Sequence, residues 1–155
     1  MENLDKVTYC GLYCGLCSRR NRTPRQAAAL REGMHKDGWE FWATDNLPGF
    51  KPFWDFLNYL ADSAEQCSCR EGTCGPGFCS IRICAREKDV QVCAICDEYP
   101  CNRVMGIAQG YPTVLADGKR IQEKGLEAWI AEQEQRALTD FAYVDIRTYP
   151  YNVPR

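Results

Sequence analysis

The chain has 155 residues, a formal net charge of −2 and 45% hydrophobic residues. That length is one domain's worth, so residues 1–155 are expected to fold together. The near-neutral balance lacks the basic excess of a general nucleic-acid binder, and no uncharged apolar run approaches the roughly 20 residues of a membrane span.

Eleven cysteines dominate the composition, and they fall in two blocks, 10–17 and 67–101. The first block is Cys10, Cys14 and Cys17, a C-x3-C-x2-C run set in CGLYCGLC. Gly11 and Gly15 each follow a cysteine, where glycine lets backbone amides approach a thiolate. Thr23 then reads as an N-cap with Pro24 at the first helical position. The spacing of Ala27, Leu30 and Met34 predicts a helix to Lys36, ended by Asp37-Gly38. Residues 39–59 are rich in aromatics. From Pro52 onward Phe53, Phe56, Leu57, Leu60, Ala61 and Ala64 repeat at helical spacing, which predicts a core helix. An aromatic ligand pocket or partner surface is the alternative.

The second block is Cys67, Cys69, Cys74, Cys79, Cys84, Cys93, Cys96 and Cys101. Gly72, Gly75, Pro76 and Gly77 make its first half irregular, and Ile81 to Val92 holds a short helix. Arg82, Arg86 and Lys88 lie beside its thiols, where cations would offset thiolate charge. Pro100 opens a helix through Gln109, and Tyr111-Pro112 breaks it. Val114, Leu115 and Ile121 predict a second helix; Leu126, Trp129 and Ile130 predict a third, separated by Gly125. Residues 100–138 therefore read as a helical C-terminal part, and residues 111–138 within it as a hydrophobic lid expected to pack on the aromatic helix around Phe53 to Leu60. Residues 141–147 alternate as one short strand would. The fold class is mainly α, with helices around irregular, cysteine-rich metal-binding loops; a small α+β arrangement is the alternative.

Disulfides are the competing use of so many thiols. Eleven is odd, and Met1 to Thr8 is polar, without the apolar stretch of a secretory signal. A chain kept in the cytoplasm keeps its thiols reduced, and cysteine clusters there point to metal. Thiols two to four residues apart converge on one point through a tight turn, as a tetrahedral ion requires.

CGLYCGLC, then CSIRICAREKDVQVCAICDEYPC, then KRIQEKGLEAWIAEQ resemble a known family over residues 8–136. This is the cysteine-rich prokaryotic family catalogued as domain-of-unknown-function class 3795. The stretch from Ile81 to Cys101 carries the most specific part of the likeness. The resemblance implies a small cytosolic protein described as zinc-binding, and it brings no activity or substrate. Where the family tends to show C-x2-C ahead of its third block, this chain has Cys67-Ser68-Cys69 and then Cys74.

The pairs Cys14/Cys17 and Cys93/Cys96 read as two knuckles of one four-cysteine zinc site. Cys69, Cys74, Cys79 and Cys84 supply a second set. Cys10, Cys67 and Cys101 join these sites, complete a third, or stay free. His35, the one histidine, stands on a predicted helix with no cysteine a turn away and reads as an ordinary side chain. Thiolate suits iron as well as zinc, so a 4Fe-4S cluster for electron transfer or redox sensing is the rival cofactor. A third reading is an enzyme with an open three-cysteine site at Cys10, Cys14 and Cys17. It lacks an acid–base partner beyond Asp97 and Glu98, which also suit a helix start. The leading expectation is structural zinc in a protein that acts on an unidentified protein or small-molecule partner.

Overall fold

The computed structural model describes residues 4–64, 68–75 and 77–148. It is mainly α, with seven α-helices and no strand among the described residues. The chain forms two compact units. One is Ser18–Cys67; the other joins Met1–Cys17 to Ser68–Arg155. No described helix is long and apolar enough to cross a membrane.

The unit Ser18–Cys67 holds α1 (Arg22–Lys36), α2 (Trp39–Asn46) and α3 (Phe50–Ala61). α1 begins one residue before the expected cap. Thr23 instead gives its backbone N–H to the Ser18 carbonyl at 2.8 Å, and Pro24 sits in the first turn, where its missing N–H costs nothing. Gly38 follows the helix in the left-handed region (φ 69°), and α2 starts at once. That helix was hidden by its shortness and by the density of aromatics. Trp39 and Trp42, three residues apart, bring their rings to 4.9 Å.

α3 follows the predicted periodicity, but its apolar face is only partly a core. Phe50 and Leu57 are buried, whereas Phe53, Phe56 and Tyr59 are 43%, 59% and 51% exposed. Three short helices have too little surface to enclose so many rings. α3 packs chiefly on α1, with Phe50 stacked on Trp54 at 5.7 Å.

The other unit holds α4 (Ser80–Glu87), α5 (Asn102–Gly110), α6 (Thr113–Lys124) and α7 (Leu126–Ala137). Gly125 (φ 86°) separates the last two. Their apolar residues pack on two single-turn 3-10 helices, Cys14–Leu16 and Cys93–Ile95. The reason is the core itself. Trp129 is fully buried among Val7, Tyr13, Leu16, Val92 and Ile121, and its ring meets that of Tyr13 edge-on at 6.3 Å. Gln122 also donates its side-chain amide to the Ala94 carbonyl at 2.8 Å. The C-terminal helices thus close over the two C-x2-C turns.

Residues 141–147 form no strand. A 3-10 turn spans Tyr143–Asp145, and the Ala142 N–H donates to the Asp145 carboxylate at 3.0 Å. The alternating aromatics serve packing: Phe141 and Tyr143 meet edge to face at 6.2 Å, and Tyr143 enters the same core as Trp129. A β-type pattern with no neighbouring strand to pair with is satisfied by burying its rings.

Candidate functional site

The first cysteine block is shaped by Thr8. Its backbone N–H donates to the Leu12 carbonyl at 2.9 Å, and its hydroxyl accepts the Leu12 N–H at 2.8 Å. Gly11, at φ 92°, makes the reversal inside this turn. Thr8 Oγ1 also lies 3.1 Å from the Cys10 sulfur. An isolated antiparallel bridge between Val7 and Tyr13 closes the loop.

The two C-x2-C pairs adopt one local geometry. In the first, the Cys17 N–H donates to the Cys14 carbonyl at 3.1 Å; in the second, the Cys96 N–H donates to the Cys93 carbonyl at 3.0 Å. The knuckle shape read from the spacing is therefore present twice. Cys14 is buried, while Cys17, Cys93 and Cys96 are part-buried.

Between them comes the Ser68–Cys74 loop. The Thr73 and Cys74 N–H groups both donate to the Ser68 carbonyl, at 3.0 and 3.2 Å. Cys69 is buried within it. Arg82, on α4, is 95% buried by its 5% exposure. It is no solvated helix cation: its guanidinium donates to the carbonyls of Cys74 at 3.3 Å and Gly77 at 2.9 Å. That arginine fixes the glycine-rich loop whose irregularity the sequence showed without its cause.

Electrostatics reveal which thiols are neighbours. Burial pushes the Cys93 thiol up to about 12, and Cys10, Cys101, Cys84 and Cys96 add to the shift in that order. Burial likewise carries Cys10 up to about 12, opposed by the Thr8 hydrogen bond and reinforced by Cys69 and Cys79. Cys69 is raised by burial and by Cys79. Two overlapping neighbourhoods result, Cys10 with Cys69 and Cys79, and Cys93 with Cys10, Cys84, Cys96 and Cys101. Cys10, Cys79, Cys93 and Cys101 also pack against one hydrophobic cluster of Ile81, Val104, Ile107 and Val114. The thiols that weigh most on Cys93 thus come from its own block and from Cys10, where the spacing had paired it with Cys14 and Cys17.

Proximity is not closure. Among the described residues, no three His, Cys, Asp or Glu side chains form a set able to hold a metal ion. The thiols are gathered in donor type and neighbourhood, and they do not converge on one point. Cys67 lies outside the described residues, and Cys74 is part-buried in its loop. His35 is on α1, its Nδ1 2.5 Å from Glu40 Oε1.

Cations border the second neighbourhood. An Arg103 N–H points at the Cys84 sulfur from 3.9 Å. Lys88 is paired with Glu98 at 2.5 Å, and its ammonium is favoured first by that carboxylate and also by Cys96 and Cys84. Glu98 is therefore engaged in an ion pair. The place of Arg103 beside Cys84 is one that spacing did not reveal.

The family model described as a protein of unknown function, DUF3795, matches residues 6–106, and the chain belongs to that family. The match takes in every cysteine of both blocks. No curated protein and no solved structure matches the chain.

Proposed function

We propose that this member of the DUF3795 family is a small protein built around cysteine-bound zinc, with its main ligands drawn from Cys10, Cys84, Cys93, Cys96 and Cys101. The observation that supports this reading is the neighbourhood of Cys93, whose strongest electrostatic neighbours are all thiols. A protein has little reason to crowd four reduced thiols around a fifth unless something binds them. A four-thiolate zinc site carries about two negative charges, from counting thiolates against Zn²⁺. Arg103 beside Cys84 and Lys88 near Cys84 and Cys96 supply cations at that place.

The donor chemistry fits the ion, since thiolate is a soft ligand that zinc accepts. Ligands of this kind couple metal binding to folding, with protons leaving the thiols as the ion is bound. Zinc so held would do no chemistry of its own and would stabilise the fold. The protein's action would then fall to a surface that meets a partner or small ligand. The exposed rings of Phe53, Phe56 and Tyr59 are one apolar surface available for it.

The test is anaerobic purification followed by metal analysis and a visible spectrum. The expected result is a colourless protein with bound zinc, and Cys84→Ser or Cys93→Ser should lower the metal content. A brown protein with broad visible absorption would replace zinc with an iron–sulfur cluster. A protein that holds neither metal after gentle purification, and takes up no Co²⁺, would overturn the reading.

A further inference from the structure

One arginine is bonded to the chain segments that carry three of the gathered thiols. Arg70 follows Cys69 directly. Its Nε–H donates to the Val7 carbonyl at 2.9 Å, and a terminal N–H donates to the Gln91 carbonyl at 2.6 Å. Its guanidinium lies 4.1 Å from the centre of the Tyr9 ring. Arg86, from α4, comes within 6.0 Å of the same ring and donates to the Arg70 carbonyl. Tyr9 completes the arrangement through its backbone. Its carbonyl accepts the Cys93 N–H at 2.7 Å, and its backbone favours the Cys69 thiolate against the burial that opposes it.

We propose that Arg70, stacked on Tyr9, is a positioning residue: a metal-independent clasp that holds Cys10, Cys69 and Cys93 as neighbours. The clasp needs no ion, because Arg70 holds its partners through a permanently charged guanidinium that donates to two backbone carbonyls and rests on a ring. Arginine suits the task. Its planar fork reaches two carbonyls at once while its flat face rests on an aromatic ring, which a lysine ammonium cannot do. Preassembled thiols also lower the ordering cost that any thiol-binding ligand must meet. The inference goes beyond the zinc reading and stands if that reading falls.

The test uses the full chain stripped of metal and kept reduced. Each cysteine's alkylation rate by iodoacetamide is read by mass spectrometry. In Arg70→Ala, Cys10, Cys69 and Cys93 should gain reactivity together. The gain should be roughly tenfold or more, the ratio that corresponds to losing one hydrogen bond to a charged group. Cys17 and Cys101 should keep their rates. Arg103→Ala removes a cation that touches a thiol but no clasp carbonyl, and should leave Cys10, Cys69 and Cys93 unchanged. If Arg70→Ala raised every cysteine alike through loss of the fold, Arg70→Lys decides. It keeps the charge without the fork, and it should expose the same three thiols selectively. Wild-type protection of all three thiols in Arg70→Lys, or in a folded Arg70→Ala, would overturn the clasp.

Discussion

The phenol oxygen of Tyr143 accepts the backbone N–H of Tyr13 at 2.9 Å, in a fully buried hydrogen bond between residues 130 apart in sequence. It ties the C-terminal 3-10 turn to the residue just before Cys14. The donor is a main-chain group on the turn that shapes the first cysteine pair. Burial pushes the phenol of Tyr143 well above its ordinary range, with the Tyr13 hydrogen bond opposing, so it stays neutral.

Tyr143→Phe should therefore be more costly than the loss of one oxygen suggests. It leaves the Tyr13 N–H buried with no acceptor, a penalty of about 1–3 kcal/mol. The ring packing against Tyr111 and Phe141 would survive. Urea unfolding monitored by far-ultraviolet circular dichroism measures the difference. A change below a few tenths of a kcal/mol would mean that water reaches the Tyr13 amide.

Trp129→Ala should remove about 3–5 kcal/mol, the range for deleting a large buried ring, because the indole is fully enclosed at 0% exposure. The void would open beside Tyr13 and Leu16, against the first cysteine turn. The variant should consequently show faster alkylation of Cys14 as well as a lower unfolding midpoint. A lower midpoint with Cys14 as protected as in the parent would mean that α7 and the cysteine turn are not coupled.

The helices were legible where periodicity was long and cleanly interrupted. Gly125 between Ile121 and Leu126, and Pro112 after Tyr111, marked α5, α6 and α7 to within about two residues. The knuckles were legible too, since C-x2-C dictates a tight turn and both pairs make one. What the sequence could not carry was partnership. Nothing in the spacing says that Cys93 lies near Cys10, because that contact is set by a main-chain bond from Cys93 to Tyr9 across more than eighty residues. Nor does periodicity tell which surface a helix covers. Trp129 and Phe53 look alike in the pattern, yet one is fully buried and the other 43% exposed. The strand read from Phe141 to Arg147 failed for a related reason, since alternation also arises when successive rings pack edge to face.

Gly118 is a point of close approach. A Cβ there would stand 1.9 Å from the Tyr99 phenol oxygen and 2.5 Å from its ring carbon, while that phenol donates to the Val114 carbonyl at 3.1 Å. Gly118→Ala should destabilise by about 1–3 kcal/mol, the usual cost of overpacking. The same change made in a Tyr99→Leu background should cost distinctly less, because the obstructing group is gone. A thermal-unfolding double-mutant cycle reads the coupling. Additive effects would show that the helix gives way elsewhere, independently of Tyr99.

Asp117 sets a pH dependence. It is buried at 4% exposure, one helical turn from Thr113, and its Oδ2 makes no hydrogen bond of good geometry. Burial raises its pKa above the ordinary carboxylate value, and Trp129, Arg136, Thr113 and Arg120 oppose the shift without cancelling it. The folded chain thus holds this proton more tightly than the unfolded chain does. Stability from this group is then fully present below the unfolded value of about 4. It declines as pH rises towards the folded value, and levels off beyond it. Asp117→Asn removes the titration while keeping the size. Its unfolding free energy relative to the parent should accordingly improve between pH 4 and pH 7, whatever its offset at pH 4. Groups that titrate alike in both proteins cancel from that difference. Urea titrations of both at the two pH values decide the matter. Parallel pH profiles would show that the Asp117 carboxyl is as well solvated in the folded chain as in the unfolded one.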